Sequence, residues 1–93
     1  DVANHKSAEK RNRQRIKRRS RNLLRLSTMR TFMKRVRTAV ESGDLETAQA
    51  TLPKAITAVT KASVRGAIHR NTAARYVSRL TLSVNRAAAA DQG

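Results

Sequence analysis

The chain has 93 residues, 21 Lys and Arg against six Asp and Glu, and no cysteine. That length sets one small domain, residues 1–93, and the missing cysteines exclude disulfide stapling and thiolate metal ligation, as suits an intracellular protein. The net charge of +15 is far beyond the roughly 2–8 that solubility asks of a small domain, so a polyanion, either nucleic acid or an anionic membrane, is the expected partner.

The charge is unevenly placed. Residues 1–40 carry 14 positive and two negative side chains, residues 41–64 two and three, and residues 65–93 five and one. A near-neutral middle therefore separates two basic segments. No run approaches the ~18 apolar residues of a membrane helix, and the N-terminus lacks the apolar core of a secretory signal. The cytoplasm is the expected location. An Arg-rich, acid-poor start is also the pattern of a transit peptide, but few serines and no hydrophobic face argue against that.

Ala, Arg, Leu and Lys dominate, which favours helix, and the internal glycines Gly43 and Gly66 divide the chain into three pieces. The first is predicted to be a helix from an N-cap at Ser7 to about Ser42. Ile16, Leu23, Leu26, Met29, Met33, Val36 and Val40 recur at spacings of three, four or seven, forming one stripe widened by Leu24 and Phe32. Gly43 is placed at the C′ position, which favours φ > 0. A helix of about 35 residues spans on the order of 50 Å. That is taller than a three-helix bundle of this chain, so its N-terminal half must project, with residues 1–22 as a basic extension.

The extension cannot build a core. Lys6, Lys10, Arg11, Arg13, Arg15, Lys17, Arg18, Arg19 and Arg21 fall within sixteen residues, and Ile16 is the one large apolar side chain between residues 3 and 22. A solvated helix face usually interleaves both signs at i, i+4. Here the opposite sign is missing, so the segment needs a polyanion to order it. Partial disorder in the free protein and full order in the bound one are expected.

The second piece opens with Asp44 as N-cap and Glu46 in the first turn. Leu45, Ala48, Leu52, Ile56, Val59 and Ala62 form its stripe, in phase on both sides of Pro53, so a kink and not a break is predicted there. Residues Ala67 to Asn71 form a connection, with Asn71 or Thr72 capping the third helix. Ala73, Val77, Leu80, Val84 and Ala87 make a narrow bundle seam, Arg75, Arg79 and Arg86 lie on another face, and the tail from Ala87 is expected to fray. The fold class is all-α: a three-helix up-down-up bundle with a long basic N-terminal helix projecting beyond it. Its core is thin, about twenty large hydrophobes and no Trp, and is marginal alone.

The connection His69-Arg70-Asn71, followed by Arg75 and Arg79, has two readings. It is a phosphate or sugar-edge clamp at a helix N-terminus, or a turn with an Asn cap and a surface histidine. His5 and His69, far apart with no cysteine or acid pair nearby, make a poor metal site, so no metal and no cofactor are expected. Glu41, Asp44 and Glu46 fit helix capping and dipole compensation better than catalysis. No phosphate loop or nucleophilic triad is evident. Phe32 and Tyr76 are too few for a base-stacking platform, and Phe32 is expected in the core.

Three other function classes fit parts of the pattern. A histone-like DNA-compacting protein shares the charge but often needs a dimer interface or a kinking wedge. A small helical enzyme holding a dianionic metabolite needs Arg residues converging on a pocket and a poised acid, not a solvated basic rod. A membrane-active cationic helix needs a large apolar face. Composition does not separate RNA from DNA, yet a long basic helix with a bundle at one end suits a folded RNA whose phosphate backbones lie close together, bound by charge and shape.

Three segments carry a family resemblance: Val2 to Arg11 (VANHKSAEKR), Met29 to Val36 (MRTFMKRV) and Gly66 to Arg75 (GAIHRNTAAR). In this order, across nearly the whole chain, they resemble the bacterial small-subunit ribosomal protein S20 family. The resemblance implies a three-helix bundle that binds 16S ribosomal RNA directly during early assembly of the small subunit, as a structural constituent with no enzyme activity. It implies no small-molecule substrate, no membrane and no homo-oligomer. RNA contact carries over to Asn4, Lys6, Ser7, Lys10, Arg11, Arg30, Lys34, His69, Arg70, Asn71 and Arg75, and it favours the clamp reading of the 69–71 turn. Arg13, Arg15, Lys17, Arg18, Arg21 and Arg79 are assigned to the same interface on charge alone.

Overall fold

Two glycines set the topology. In the computed structural model, which describes the backbone of residues 2–92 and the side chains of residues 5–91, three helices run α1 (Val2–Glu41), α2 (Leu45–Val64) and α3 (Arg70–Gln92). Gly43 and Gly66 follow α1 and α2 at φ +78° and +80°. Both turns close the same way. The amide of Asp44 donates to Ala39 O at 2.8 Å and that of Gly43 to Val40 O at 3.2 Å; after α2, Ala67 donates to Ala62 O at 2.8 Å and Gly66 to Ser63 O at 3.0 Å. This paired pattern satisfies the last helical carbonyls and requires a left-handed residue, which glycine adopts without steric cost.

The helix starts differ from expectation at two of three places. α1 begins at Val2, not at Ser7. No Gly or Pro interrupts the first residues, and Ala3 and Lys6 favour helix, so Ser7 is carried inside it. α3 begins at Arg70, and its cap is His69, not Asn71 or Thr72. The Asn71 amide donates to His69 Nδ1 at 3.0 Å, and the Ala73 amide donates to His69 O at 3.0 Å. α2 starts as expected: Asp44 accepts from the Thr47 amide at 3.2 Å, with Glu46 in the first turn and Lys61 in the last, each matched to the helix dipole.

α2 continues unbroken through Pro53. The carbonyl deprived of its donor belongs to Gln49, an exposed residue, so water can replace the lost bond. The tail runs as helix to Gln92 where fraying was expected from Ala87, because four consecutive alanines, Ala87 to Ala90, are the strongest helix formers.

The core draws Met29, Met33, Val36 and Ala39 from α1, Ala48, Ala55, Ala58, Val59 and Ala62 from α2, and Ala73, Leu80 and Val84 from α3. α2 is the central helix, packed on both neighbours, while α1 and α3 touch least. Its alanine face permits close approach. Leu26, Phe32, Val40, Tyr76 and Val77 lie partly buried at the edges.

The apolar stripe of α1 does not continue as expected. Ile16, Leu23 and Leu24 are 58%, 56% and 67% exposed. α2 has 20 residues against the 40 of α1, so it covers only the C-terminal half. At 1.5 Å per residue α1 is about 60 Å long. The molecule measures 72 × 21 × 14 Å, with a radius of gyration of 18.5 Å, against about 12 Å for a compact chain of this length. A rod of α1 projects from the bundle.

Two outcomes follow from this packing. Val36→Ala, at a fully buried position, should lower unfolding free energy by about 2 kcal/mol in urea titration. Ile16→Ala should stay within about 0.5 kcal/mol; equal losses would mean that the rod is packed. At the α2 cap, the Thr47 hydroxyl and then its amide hold the Asp44 carboxyl below its ordinary value of 3.8. A lowered native pKa stabilises the fold above the unfolded value, and that contribution disappears as pH falls through the native one. Asp44→Asn keeps a capping oxygen without the charge, so it should flatten this part of the acid limb in melts taken below about pH 4.

Candidate nucleic-acid interface

Every side chain from residue 5 to 21 is exposed. No Lys or Arg among the described residues is ion-paired with a carboxylate. The one salt-bridge geometry joins His5 Nε2 to Glu9 Oε1 at 3.0 Å, with both side chains well exposed, and such a pair contributes little. Like charges, by contrast, sit one turn apart at Lys6–Lys10, Arg11–Arg15, Arg13–Lys17, Arg15–Arg19 and Lys17–Arg21, each pair costing about 0.2–0.5 kcal/mol. The helix formers of this stretch set its backbone, while its side chains repel one another. Ser7, Arg11 and Arg15 align at a spacing of four along one shallow depression of the rod, with cations on the remaining faces.

The structure places the other expected residues on the bundle's surface. Arg30 and Lys34 are exposed on α1, where the helix turns its opposite face, Met29, Met33 and Val36, to the core. His69, Arg70 and Asn71 are exposed at the start of α3. Because α2 descends 20 residues antiparallel to α1, this turn lies near the level of residues 22–26, where the rod leaves the bundle. Ala67 and Ile68, just before it, pack against the core. Lys17, Arg18 and Arg21 at the rod's base and Arg70 in the turn are thus brought to one end of the bundle. Arg75 and Arg79 are exposed further along α3, one to three turns from that end. The side chain of Asn4 lies outside the described residues.

The turn serves structure as well as surface chemistry. His69 Nδ1 accepts the Asn71 amide, which places the ring hydrogen of the neutral imidazole on Nε2 and leaves it available as a donor. The turn is capped by the histidine and not by Asn71, and the adjacent Arg70 is exposed on the surface. Sequence reasoning missed this role because histidine is outside the usual capping set.

Among the described residues no polar or charged side chain is buried, and no three His, Cys, Asp or Glu side chains lie close enough together to hold a metal. No helix is long and apolar enough to cross a membrane. Glu41, Asp44 and Glu46 are all exposed. Activated acids and nucleophiles need burial or a poised partner, and this surface has neither. Phe32 is partly buried and carries the Arg35 guanidinium 5.3 Å from its ring centroid, while Tyr76 packs against the core.

The fold and the surface together define a small, strongly basic all-helical protein with unpaired cations along a projecting rod. The sequence matches the family description "Ribosomal protein S20" over residues 3–85. It is 50% identical to small ribosomal subunit protein bS20 of Syntrophus aciditrophicus over 84 residues, covering 90% of this chain and 94% of that protein. It is 52% identical to bS20 of Citrifermentans bemidjiense, covering 90% and 97%, and 47% identical to bS20 of Magnetococcus marinus, covering 96% and 97%. The chain belongs to the ribosomal protein S20 family. It is a structural, non-enzymatic component of the small ribosomal subunit, and its location is that of the bacterial ribosome, the cytoplasm.

His69→Ala should lower thermal stability by about 0.5–1 kcal/mol, and His69→Asn should restore it, because the loss is that of a cap. Arg70→Gln should leave the melting curve unchanged, which makes Arg70 the cleaner probe of RNA contact at this turn.

Proposed function

We propose that the protein binds 16S ribosomal RNA directly and stabilises its fold during assembly of the small subunit. The observation that carries this reading is the rod: nine Lys and Arg between residues 6 and 21, all exposed, none paired with a carboxylate, on the stretch of α1 that lies beyond the reach of α2. Phosphates are the missing counter-charges, and their binding releases condensed counterions. The whole chain acts as one RNA-binding unit and as a monomer, with residues 1–22 as its basic extension. Lys6, Lys10, Arg11, Arg13, Arg15, Lys17, Arg18 and Arg21 supply affinity along the rod. Arg30, Lys34, Arg75 and Arg79 extend the contact to the bundle, and His69, Arg70 and Asn71 form the clamp at its base. Family membership favours rRNA over duplex DNA as the polyanion.

No described residue among 5–22 contributes a side chain to the core, so on removal of residues 1–22 the remaining bundle should unfold at nearly the same temperature. Its affinity for small-subunit rRNA should fall by orders of magnitude at ~150 mM salt, with a shallower dependence of log K on log salt. A truncated protein that retains tight, salt-steep binding would refute the rod as the main contact. In competition at ~0.2–0.3 M salt, the full chain should keep a large preference for rRNA over equal masses of duplex DNA; equal competition would favour a DNA-compacting role instead.

A further inference from the structure

The seam between α1 and α2 carries a second chemical pattern, different from the rod. Along α1, Thr28, Thr31, Arg35, Thr38 and Ser42 follow at spacings of three or four, and along α2, Thr47, Thr51, Lys54, Ala58 and Lys61 do the same. These rows line two adjoining open depressions on one side of the helix pair. Phe32, with Arg35 over its ring, sits at the boundary between them.

The hydroxyls here are not interchangeable donors and acceptors. Thr31 Oγ1 donates to Ser27 O at 2.9 Å, Ser42 Oγ to Ala39 O at 3.1 Å, and Thr57 Oγ1 to Pro53 O at 2.9 Å. Each has spent its hydrogen on its own helix, so what remains toward solvent is an acceptor oxygen. An acceptor repels a phosphate oxygen and suits a donor. Lys54 and Lys61, one to two turns along α2 and flanking Thr57, supply the cations. Asp44 at the opposite end of the seam keeps that end unfavourable for phosphate. Acceptors interleaved with cations match a strand that alternates hydroxyl donors with phosphates, which is a ribose–phosphate backbone with its 2′-OH groups. DNA offers the phosphates and lacks the donors.

We infer that the α1/α2 seam is a second RNA-contacting surface, in which the Thr31 and Thr57 hydroxyl oxygens accept from ribose 2′-OH groups and Lys54 and Lys61 hold the adjacent phosphates. This rests on the rRNA-binding reading and adds to it the discrimination of RNA from DNA, which net charge cannot supply.

The test uses the full chain and a small-subunit rRNA transcript, with duplex DNA as the comparison. Thr31→Val/Thr57→Val keeps shape and β-branching at two exposed helical sites, and circular dichroism and melting verify that the fold is retained. Its rRNA affinity should fall about tenfold, as expected for two lost hydrogen bonds, with the salt slope unchanged and duplex DNA affinity unaffected. Lys54→Gln/Lys61→Gln should instead make the salt slope shallower by roughly 1.5–2 for both nucleic acids. If wild type prefers rRNA and the Thr variant retains that preference in full, the seam is overturned and the rod reading stands. If wild type shows no preference for rRNA over DNA, both readings fall.

Discussion

Uncompensated charge on the rod is the constraint on which the rest of the molecule depends. Repulsion between like side chains one turn apart works against the helix that the backbone propensities favour, and the only salt-bridge geometry among the described residues, His5 with Glu9, is too exposed to offset it. Helix formation is costly to nucleate and cheap to propagate. Met29, Met33 and Val36 are buried in the C-terminal half of α1, so tertiary packing holds that half as helix and the charged segment extends it by propagation alone. The bundle is therefore the anchor of the rod as much as a domain in its own right. The rod in turn explains why so small a bundle carries a helix twice the length of its neighbour.

The bundle's own margin is narrow. Two valines, Val36 and Val59, are the largest fully buried side chains, and six of the twelve buried core residues are Ala. Alanine contributes little apolar area per residue, but it lets backbones approach and loses almost no side-chain entropy on folding. Stability in such a core depends heavily on the turns that fix helix pairing. That is the role of the two glycine turns with their paired amide bonds, and of Asp44 and His69 capping the helices that follow.

Much of this was legible in the chain. Gly43, Gly66 and Asp44 stand where composition and turn chemistry put them, and of the seam Ala73, Val77, Leu80, Val84 and Ala87, Ala73, Leu80 and Val84 are buried while Val77 and Ala87 are half-buried. Periodicity was less informative at Ile16, Leu23 and Leu24. It reports that apolar residues share a face, not whether a second helix reaches that far, and the length of α2 decided the matter. Buried alanines such as Ala39 and Ala55 were passed over because their side chains are as common on surfaces as in cores. The His69 cap was hidden for a chemical reason: Nδ1 is an acceptor only in one tautomer, and the obvious capping residue, Asn71, instead provides the amide that is capped. The α1/α2 seam could not be read from either helix alone, since its pattern exists only when the two rows are paired.

One continuous helix joins the anchored and the projecting parts. No Gly or Pro occurs in α1, and helical kinks arise almost entirely at such residues or at local bulges. The rod therefore leaves the bundle at a fixed angle. From Lys6 to the level of the His69–Asn71 turn is about sixteen helical residues, or about 24 Å. An RNA that meets both ends must present phosphates at that separation and orientation. A flexible polycation of the same charge would follow any nucleic-acid surface, whereas a rigid one accepts only folds that match its geometry. Selectivity for a folded RNA can thus arise without any base being read, from the stiffness of α1 and the position of the turn beside its base.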